Sequence, residues 1–283
     1  LDGALDAERT QTGTITATTA NLSISDVSPT YPFNGLIDDV RIYNYVRSSD
    51  DIRLDYNAGF AALFGPQTTC SEDPGSCITN GLVGNWGMVD GSGTLVSDVS
   101  DYANTGTTSG GPQWVKGKVG GALKFDGSDD YVNVSDSDNL DITSALAIEA
   151  WVKLTDVTDG RQIVAKNSTG AGNASPYAFA VTITTGKLSG RIGDGATNLD
   201  INGTTAVNDG AWHHVVFSYD ANNLYLYVDG KSDATPIAKT ITPLINSTAL
   251  MIGSWNNTWQ KFLGSMDEVR IYKRALTADE IRA

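Results

Sequence analysis

Histidine and cysteine are nearly absent from this 283-residue chain, with two of each. The scarcity excludes most metalloenzyme chemistry, because a zinc site gathers three or four His, Cys or carboxylate ligands. His213 and His214 are adjacent in a stretch that reads as strand, so their side chains point to opposite faces and cannot share a metal or a catalytic site. Both cysteines fall in "TTCSEDPGSCITN". A pair this close in a polar Pro/Gly segment suits a small Cys70–Cys77 disulfide loop better than a metal site, two unpaired thiols being the alternative. A disulfide there implies an oxidising, extracellular setting. Positive charge is also short, with 19 Lys and Arg against 33 Asp and Glu and a net charge of -14. Nucleic-acid phosphates and anionic membrane faces are repelled by such a surface, so neither is an expected partner. No apolar run is long enough to span a bilayer, and the start "LDGALDAERT", with neither initiator Met nor signal peptide, reads as a processed or excised piece.

What the chain does contain points to strands. Gly is abundant at 30 residues, and Thr, Ser, Asn and Asp crowd the gaps between short apolar runs. The length suits one large all-β domain or two ordinary domains. "LAIEAWVKL" alternates Leu146, Ile148, Ala150, Val152 and Leu154 with Glu149, Trp151 and Lys153, and "YAFAVTI" puts Tyr177, Phe179, Val181 and Ile183 on one face. "WHHVVFSYDANNLYLYVDG" reads as a hairpin turning at Asn222-Asn223, with Leu224, Leu226 and Val228 inward. Trp86, Trp151 and Trp212 sit in strand patterns and read as core or sheet-face residues.

One phrase is written twice. "FNGLIDDVRIYNYVR" at 33–47 aligns with "FLGSMDEVRIYKRAL" at 262–276, and Asp50, Ile52 and Arg53 then fall on Asp279, Ile281 and Arg282 without a gap. Each copy ends in a short helix signal: Thr277 with Glu280 three residues on forms a capping box, and Ser48 with Asp51 does similar work earlier. Upstream, "LDG" at the start falls on "VDG" at 228–230 and the Thr-rich run after it on "KTITPLINSTALMIG", so residues 1–57 repeat 228–283 and what they lack is the counterpart of 82–227.

"GLVGNWGMVDGSGTLVSDVSDYANTGT", "GGALKFDGSDDYVNV", "AIEAWVKL", "WHHVVFSYD" and "FLGSMDEVRIYKRALTADEI" occur in that order. Together they resemble the laminin-G-like, concanavalin A-like jelly-roll domains of bacterial surface and secreted proteins. The resemblance implies an all-β fold, two antiparallel sheets packed face to face. On this basis 81–283 is a complete jelly roll, 60–80 a linker with the Cys pair, and 1–59 the C-terminal part of a preceding copy. The repeated phrase is then a closing strand and helix. Ile37, Val40 and Ile42 belong partly in a core whose other strands are missing, so upstream sequence or a neighbouring chain must supply them, the latter by strand complementation.

Some jelly-roll relatives are glucanases presenting a Glu-x-Asp-x-x-Glu run, and nothing here matches it. Glu149 stands alone between apolar neighbours and reads as a solvent-facing strand residue, since one carboxylate cannot fill both roles in glycoside hydrolysis. Related jelly rolls often hold a structural calcium with a carboxylate at the start of the closing strand. That maps onto Asp267, with Asp98 and Asp126 as expected partners and Asp38 in the corresponding place of the first copy; the alternative is that these residues cap turns. "GSWNNTWQKF" is the richest aromatic loop, and Trp255, Asn256, Asn257 and Trp259 are the candidate sugar contacts, aromatic faces stacking on rings while amides hold hydroxyls. The expected protein is a non-enzymatic extracellular or cell-surface module of a tandem-domain protein, acting in adhesion, spacing or filament assembly with neighbouring domains or copies. Glycan binding is the alternative.

Overall fold

The computed structural model describes residues 80–159, 161–167, 175–256 and 259–282. The chain divides into Leu1–Glu72 and Asp73–Ala283, and only the second unit contains described residues. Asp38, Cys70, Cys77 and the first copy of the repeated phrase therefore lie outside them.

Two antiparallel sheets form the domain. In the nine-stranded sheet, β5 (Gly121–Asp126), β7 (Leu146–Lys153), β12 (His213–Tyr219), β13 (Asn223–Val228) and β17 (Leu263–Tyr272) are the main strands, with β4 (Gln113–Lys116) and β14 (Lys231–Ser232) at the ends. β1 (Leu82–Trp86) pairs with β17 and β15 (Ile237–Ala238) with β13. The eight-stranded sheet runs β11 (Asn198–Ala206), β10 (Lys187–Gly193), β9 (Tyr177–Val181), β8 (Arg161–Lys166), β16 (Leu250–Ile252), β6 (Tyr131–Val134), β3 (Gly106–Ser109) and β2 (Leu95–Val96). This is the jelly-roll sandwich that the motifs implied.

Alternation builds the core. Leu146, Ile148, Ala150 and Val152 of β7, Val215 and Phe217 of β12, and Leu224 and Leu226 of β13 face Tyr177, Phe179 and Val181 of β9 and Leu188 and Ile192 of β10, all fully buried. Ile183 falls past the end of β9 and is exposed instead. Phe179 and Phe217 meet with centroids 6.0 Å apart. Opposite them a Cβ on Gly190 would stand 2.2 Å from the Phe217 ring, so Gly190 lets the two sheets close. Gly190→Ala is expected to destabilise the domain by about 1–3 kcal/mol through overpacking, measured by urea titration; an unchanged midpoint would show that the ring moves aside freely.

β17 carries the device that shapes both faces of its sheet. Its register against β7 shifts by one residue between Asp267 and Arg270, and Glu268 takes a φ of 50°. Met266, Val269 and Ile271 therefore all turn inward, while Arg270 and Tyr272 turn outward beside Glu149. This corrects the solvent-facing reading of Glu149. Its carboxylate accepts from Arg270 Nη1 (3.0 Å) and the Tyr272 hydroxyl (2.9 Å), with His214 Nε2 at 3.4 Å, and the residue is only 4% exposed. Burial would raise its pKa, but the His214 bond and the Arg270 charge outweigh burial and hold it at about 2. His213 faces away, clasped between Asp229 (2.8 Å) and Asp209 (3.1 Å), as adjacent residues on one strand must be split.

Two local readings complete the frame. The β12–β13 turn centres one residue earlier than expected, on Ala221-Asn222, because the Asp220 carboxylate accepts the N–H groups of Asn222 (2.8 Å) and Asn223 (2.6 Å). The terminal capping box forms as read: Thr277 N donates to Glu280 Oε2 (2.7 Å) and Glu280 N to Thr277 Oγ1 (3.2 Å), starting helix α1 (Ala278–Arg282). Its Ile281 packs with Ala147, Val216 and Tyr272. Among the described residues no helix is long and apolar enough to cross a membrane.

Candidate ligand-binding groove

Because Tyr177, Phe179, Val181, Leu188, Gly190 and Ile192 turn inward, Ala178, Ala180, Ser189 and Arg191 are left on the outer face of the eight-stranded sheet. The register arranges them in two rows, Ala165–Ala178–Arg191–Asp200 and Gln162–Ala180–Ser189–Asn202. Ala178, Ala180 and Ser189 are small, so the face sinks beside the longer Arg191 side chain. A hollow of about 270 Å³ opens there, lined by Gln162, Ala178, Ala180, Ser189, Arg191 and Trp255 among others.

Trp255 reaches the hollow from the loop after β16. That loop braces itself: Trp255 N donates to the Trp259 carbonyl (3.1 Å), Trp259 N donates to Asn256 Oδ1 (2.8 Å), and Ser254 Oγ donates to the Trp259 carbonyl (3.2 Å). Gln162 N ties the loop to β8 by donating to the Gln260 carbonyl (3.3 Å). The guanidinium of Arg191 lies 5.6 Å from the Trp255 ring centroid. Its Nε and Nη2 donate to the two oxygens of Asp200 at 2.5 and 2.7 Å, and this bond chiefly raises the Arg191 pKa.

Of the four expected sugar contacts, then, Trp255 lines the groove and Trp259 stands 68% exposed on the same loop. Asn256 spends its side-chain oxygen capping that loop. Asn257 lies outside the described residues. The sequence reading missed Arg191, Asp200, Ser189 and Gln162. A usable signal was present in "GDGAT", where Asp194 accepts from Ala196 N (2.9 Å) and Thr197 N (2.7 Å) and so sets the register that places Arg191 opposite Asp200.

Comparison with known families gives a match to the concanavalin A-like lectin/glucanases superfamily over residues 1–53 and 126–282. The chain belongs to this superfamily. Among curated proteins, zebrafish (Danio rerio) neurexin-3a is 28% identical over 200 residues, which is 69% of this chain but 11% of neurexin-3a, so the chain spans about a tenth of that relative's length. Two solved structures share the fold. The binding domain of Paraclostridial mosquitocidal protein 1 gives a TM-score of 0.59 at 15% identity, covering 73% of this chain and 52% of that one. Domain 4 of AbnA, a GH43 extracellular arabinanase from Geobacillus stearothermophilus solved with arabinotriose, gives 0.56 at 18% identity, covering 71% and 96%.

The resemblance leads one to expect a calcium on Asp267 with Asp98 and Asp126. Among the described residues, Asp98 and Asp267 do not join Asp126 in a carboxylate cluster. Asp98 is saturated by donors: the N–H groups of Asn85 (2.7 Å), Ser100 (2.8 Å) and Asn104 (2.7 Å) and the Ser100 hydroxyl (2.8 Å). It staples the 97–104 loop to β1. Asp126 joins Asp129 and Asp130, all within 4.8 Å. The nearly buried Lys261, whose ammonium lies over the Tyr131 ring at 4.0 Å, feels the charge of all three carboxylates and offsets it.

Asp267 differs from both. It is fully buried, its Oδ2 accepts from Val119 N (2.8 Å), and its Oδ1 has no partner among the described residues. Burial, with the Glu268 charge adding to it, pushes its pKa up to about 7 against the Val119 bond. Gly117 packs directly against it. A Cβ on Gly117 would stand 2.1 Å from the Gly121 carbonyl and 2.5 Å from Asp267 Oδ2. A buried carboxylate with an orphaned oxygen is a donor that suits a hard cation such as calcium.

Proposed function

We propose that the domain is a non-enzymatic, extracellular carbohydrate-binding module that serves adhesion in a tandem-domain surface protein. The observation that carries this reading is the Trp255 ring standing beside the Arg191–Asp200 pair over a floor of Ala178, Ala180 and Ser189. An aromatic wall takes the apolar face of a sugar ring, and fixed donors and acceptors take its hydroxyls. The arabinotriose held by AbnA domain 4 supports a sugar as ligand for this fold. A hydrolase would place two carboxylates across the scissile bond; among the described lining residues and their direct partners, Asp200 is the carboxylate at the groove, and Arg191 clasps it. The repeat of the closing phrase favours adhesion, since linked copies gain effective concentration without new contacts.

A glycan array probed with the full chain tests the reading. Specific binding should appear and should fall at least tenfold in Trp255→Ala, a loss of about 1.4 kcal/mol or more as one stacked ring is removed. Trp259→Ala should weaken it less, because Trp259 stands away from the floor. Silence across the array would return the domain to a spacer role.

A calcium held by Asp267 is part of this proposal. Its role is structural: it would pin the 117–120 turn to β17 on the face opposite the core.

A further inference from the structure

We infer that the groove takes uncharged oligosaccharides and rejects those bearing uronate or sialyl carboxylates, an inference that rests on the carbohydrate reading above. Arginine beside tryptophan is the usual recipe for gripping a carboxylate, and the structure withholds it. The Nε–Nη2 edge, one of the two by which a guanidinium chelates a carboxylate, is already filled by Asp200 at 2.5 and 2.7 Å. Arg191 is the cation among the described lining residues, so with its partner included the groove has no net charge. An incoming carboxylate would lie against Asp200, within a chain of net charge -14.

What the groove does present matches hydroxyl groups. Arg191 Nη1 has no protein partner among the described residues, and neither has the Ser189 hydroxyl or the Gln260 side-chain amide. Asp200, about a third exposed, keeps lone pairs free to accept. A sugar hydroxyl both donates and accepts, so neighbouring hydroxyls can bridge Nη1 and Asp200 while the ring lies on Trp255. The alanine floor leaves the ring room without adding charge.

The test is calorimetric titration of the full chain with pairs of oligosaccharides, each neutral pentose or hexose chain matched with a counterpart carrying a uronate or sialyl residue. The neutral member should bind at least tenfold more tightly, with little change between low and high salt. Asp200→Asn keeps the shape of the side chain but frees the Arg191 charge, so it should narrow or reverse the preference and make acidic-ligand binding salt-sensitive. Wild-type binding of the acidic member as tightly as its neutral partner, or an unchanged ratio in folded Asp200→Asn, would overturn the inference while leaving the carbohydrate reading intact. Binding of neither member would overturn both. If Asp200→Asn does not fold, the wild-type ratio decides alone.

Discussion

Asp267→Asn is expected to abolish a calcium-dependent rise in melting temperature and, in chelator, to make the domain more stable than the wild type at pH 8. A ligand bound only by the native state adds about 2.7 kcal/mol at a hundredfold excess over Kd. For a domain of this size that corresponds to a shift of roughly 5–10 °C. Without calcium the sign reverses. The folded pKa of Asp267 is about 7 against an ordinary 3.8, so the folded state holds the proton more tightly than the unfolded chain. Stability therefore declines as pH rises from about 4 to about 7, by up to roughly 4 kcal/mol in the limit of full burial. Asn has no proton to lose and escapes that decline. Calcium displaces the same proton, so its effect on the wild type should grow over the same pH range. Scanning calorimetry at pH 5 and pH 8, each with calcium and with chelator, reads all four conditions. Identical wild-type midpoints with and without calcium would remove the ion from the site.

A second large effect is expected at Glu149. Glu149→Ala leaves the Arg270 guanidinium and the Tyr272 hydroxyl facing a void on the covered outer face of the nine-stranded sheet. Removing one partner of a buried pair costs about 3–5 kcal/mol, and Glu268, which also pairs with Arg270, keeps the loss toward the lower end. The melting temperature should fall by roughly 10 °C. The wild type carries a matching acid sensitivity. Because the folded pKa is about 2 against an ordinary 4.5, the contribution of Glu149 is fully present above about 4.5 and disappears as pH falls toward 2. That amounts to about 3 kcal/mol, and the acid-induced loss should be correspondingly smaller in Glu149→Ala. Equal acid sensitivity in the two proteins would mean that other carboxylates govern the low-pH transition.

The sequence by itself determined the sandwich and the inward side of most strands. Period-two alternation in "LAIEAWVKL" and in the β12–β13 hairpin assigns faces without knowledge of any partner strand, because side-chain direction depends only on the local backbone. The capping box at Thr277 and Glu280 was legible for the same reason, its partners being three residues apart. Even the β17 bulge is written locally: Met266, Val269 and Ile271 are spaced three and then two apart, which a regular strand cannot bury on one face. What the spacing could not show is where that bulge sends Arg270 and Tyr272, and so Glu149 looked solitary. Those two partners are 121 and 123 residues away from it in sequence.

Only the tertiary structure decided the sites. Trp255 was conspicuous in a polar loop, yet Ala178, Ala180 and Ser189 have no chemistry that marks them, and they matter because strand register sets them side by side beneath it. Asp98, Asp126 and Asp267 were alike in the sequence as acidic residues in turn-rich segments. Burial and donor geometry separate them: one is saturated by N–H groups, one shares a lysine with two neighbours, and one is buried against Gly117 with an oxygen left over. Composition supplies carboxylates, but the dielectric and the donors around each are properties of the packed chain.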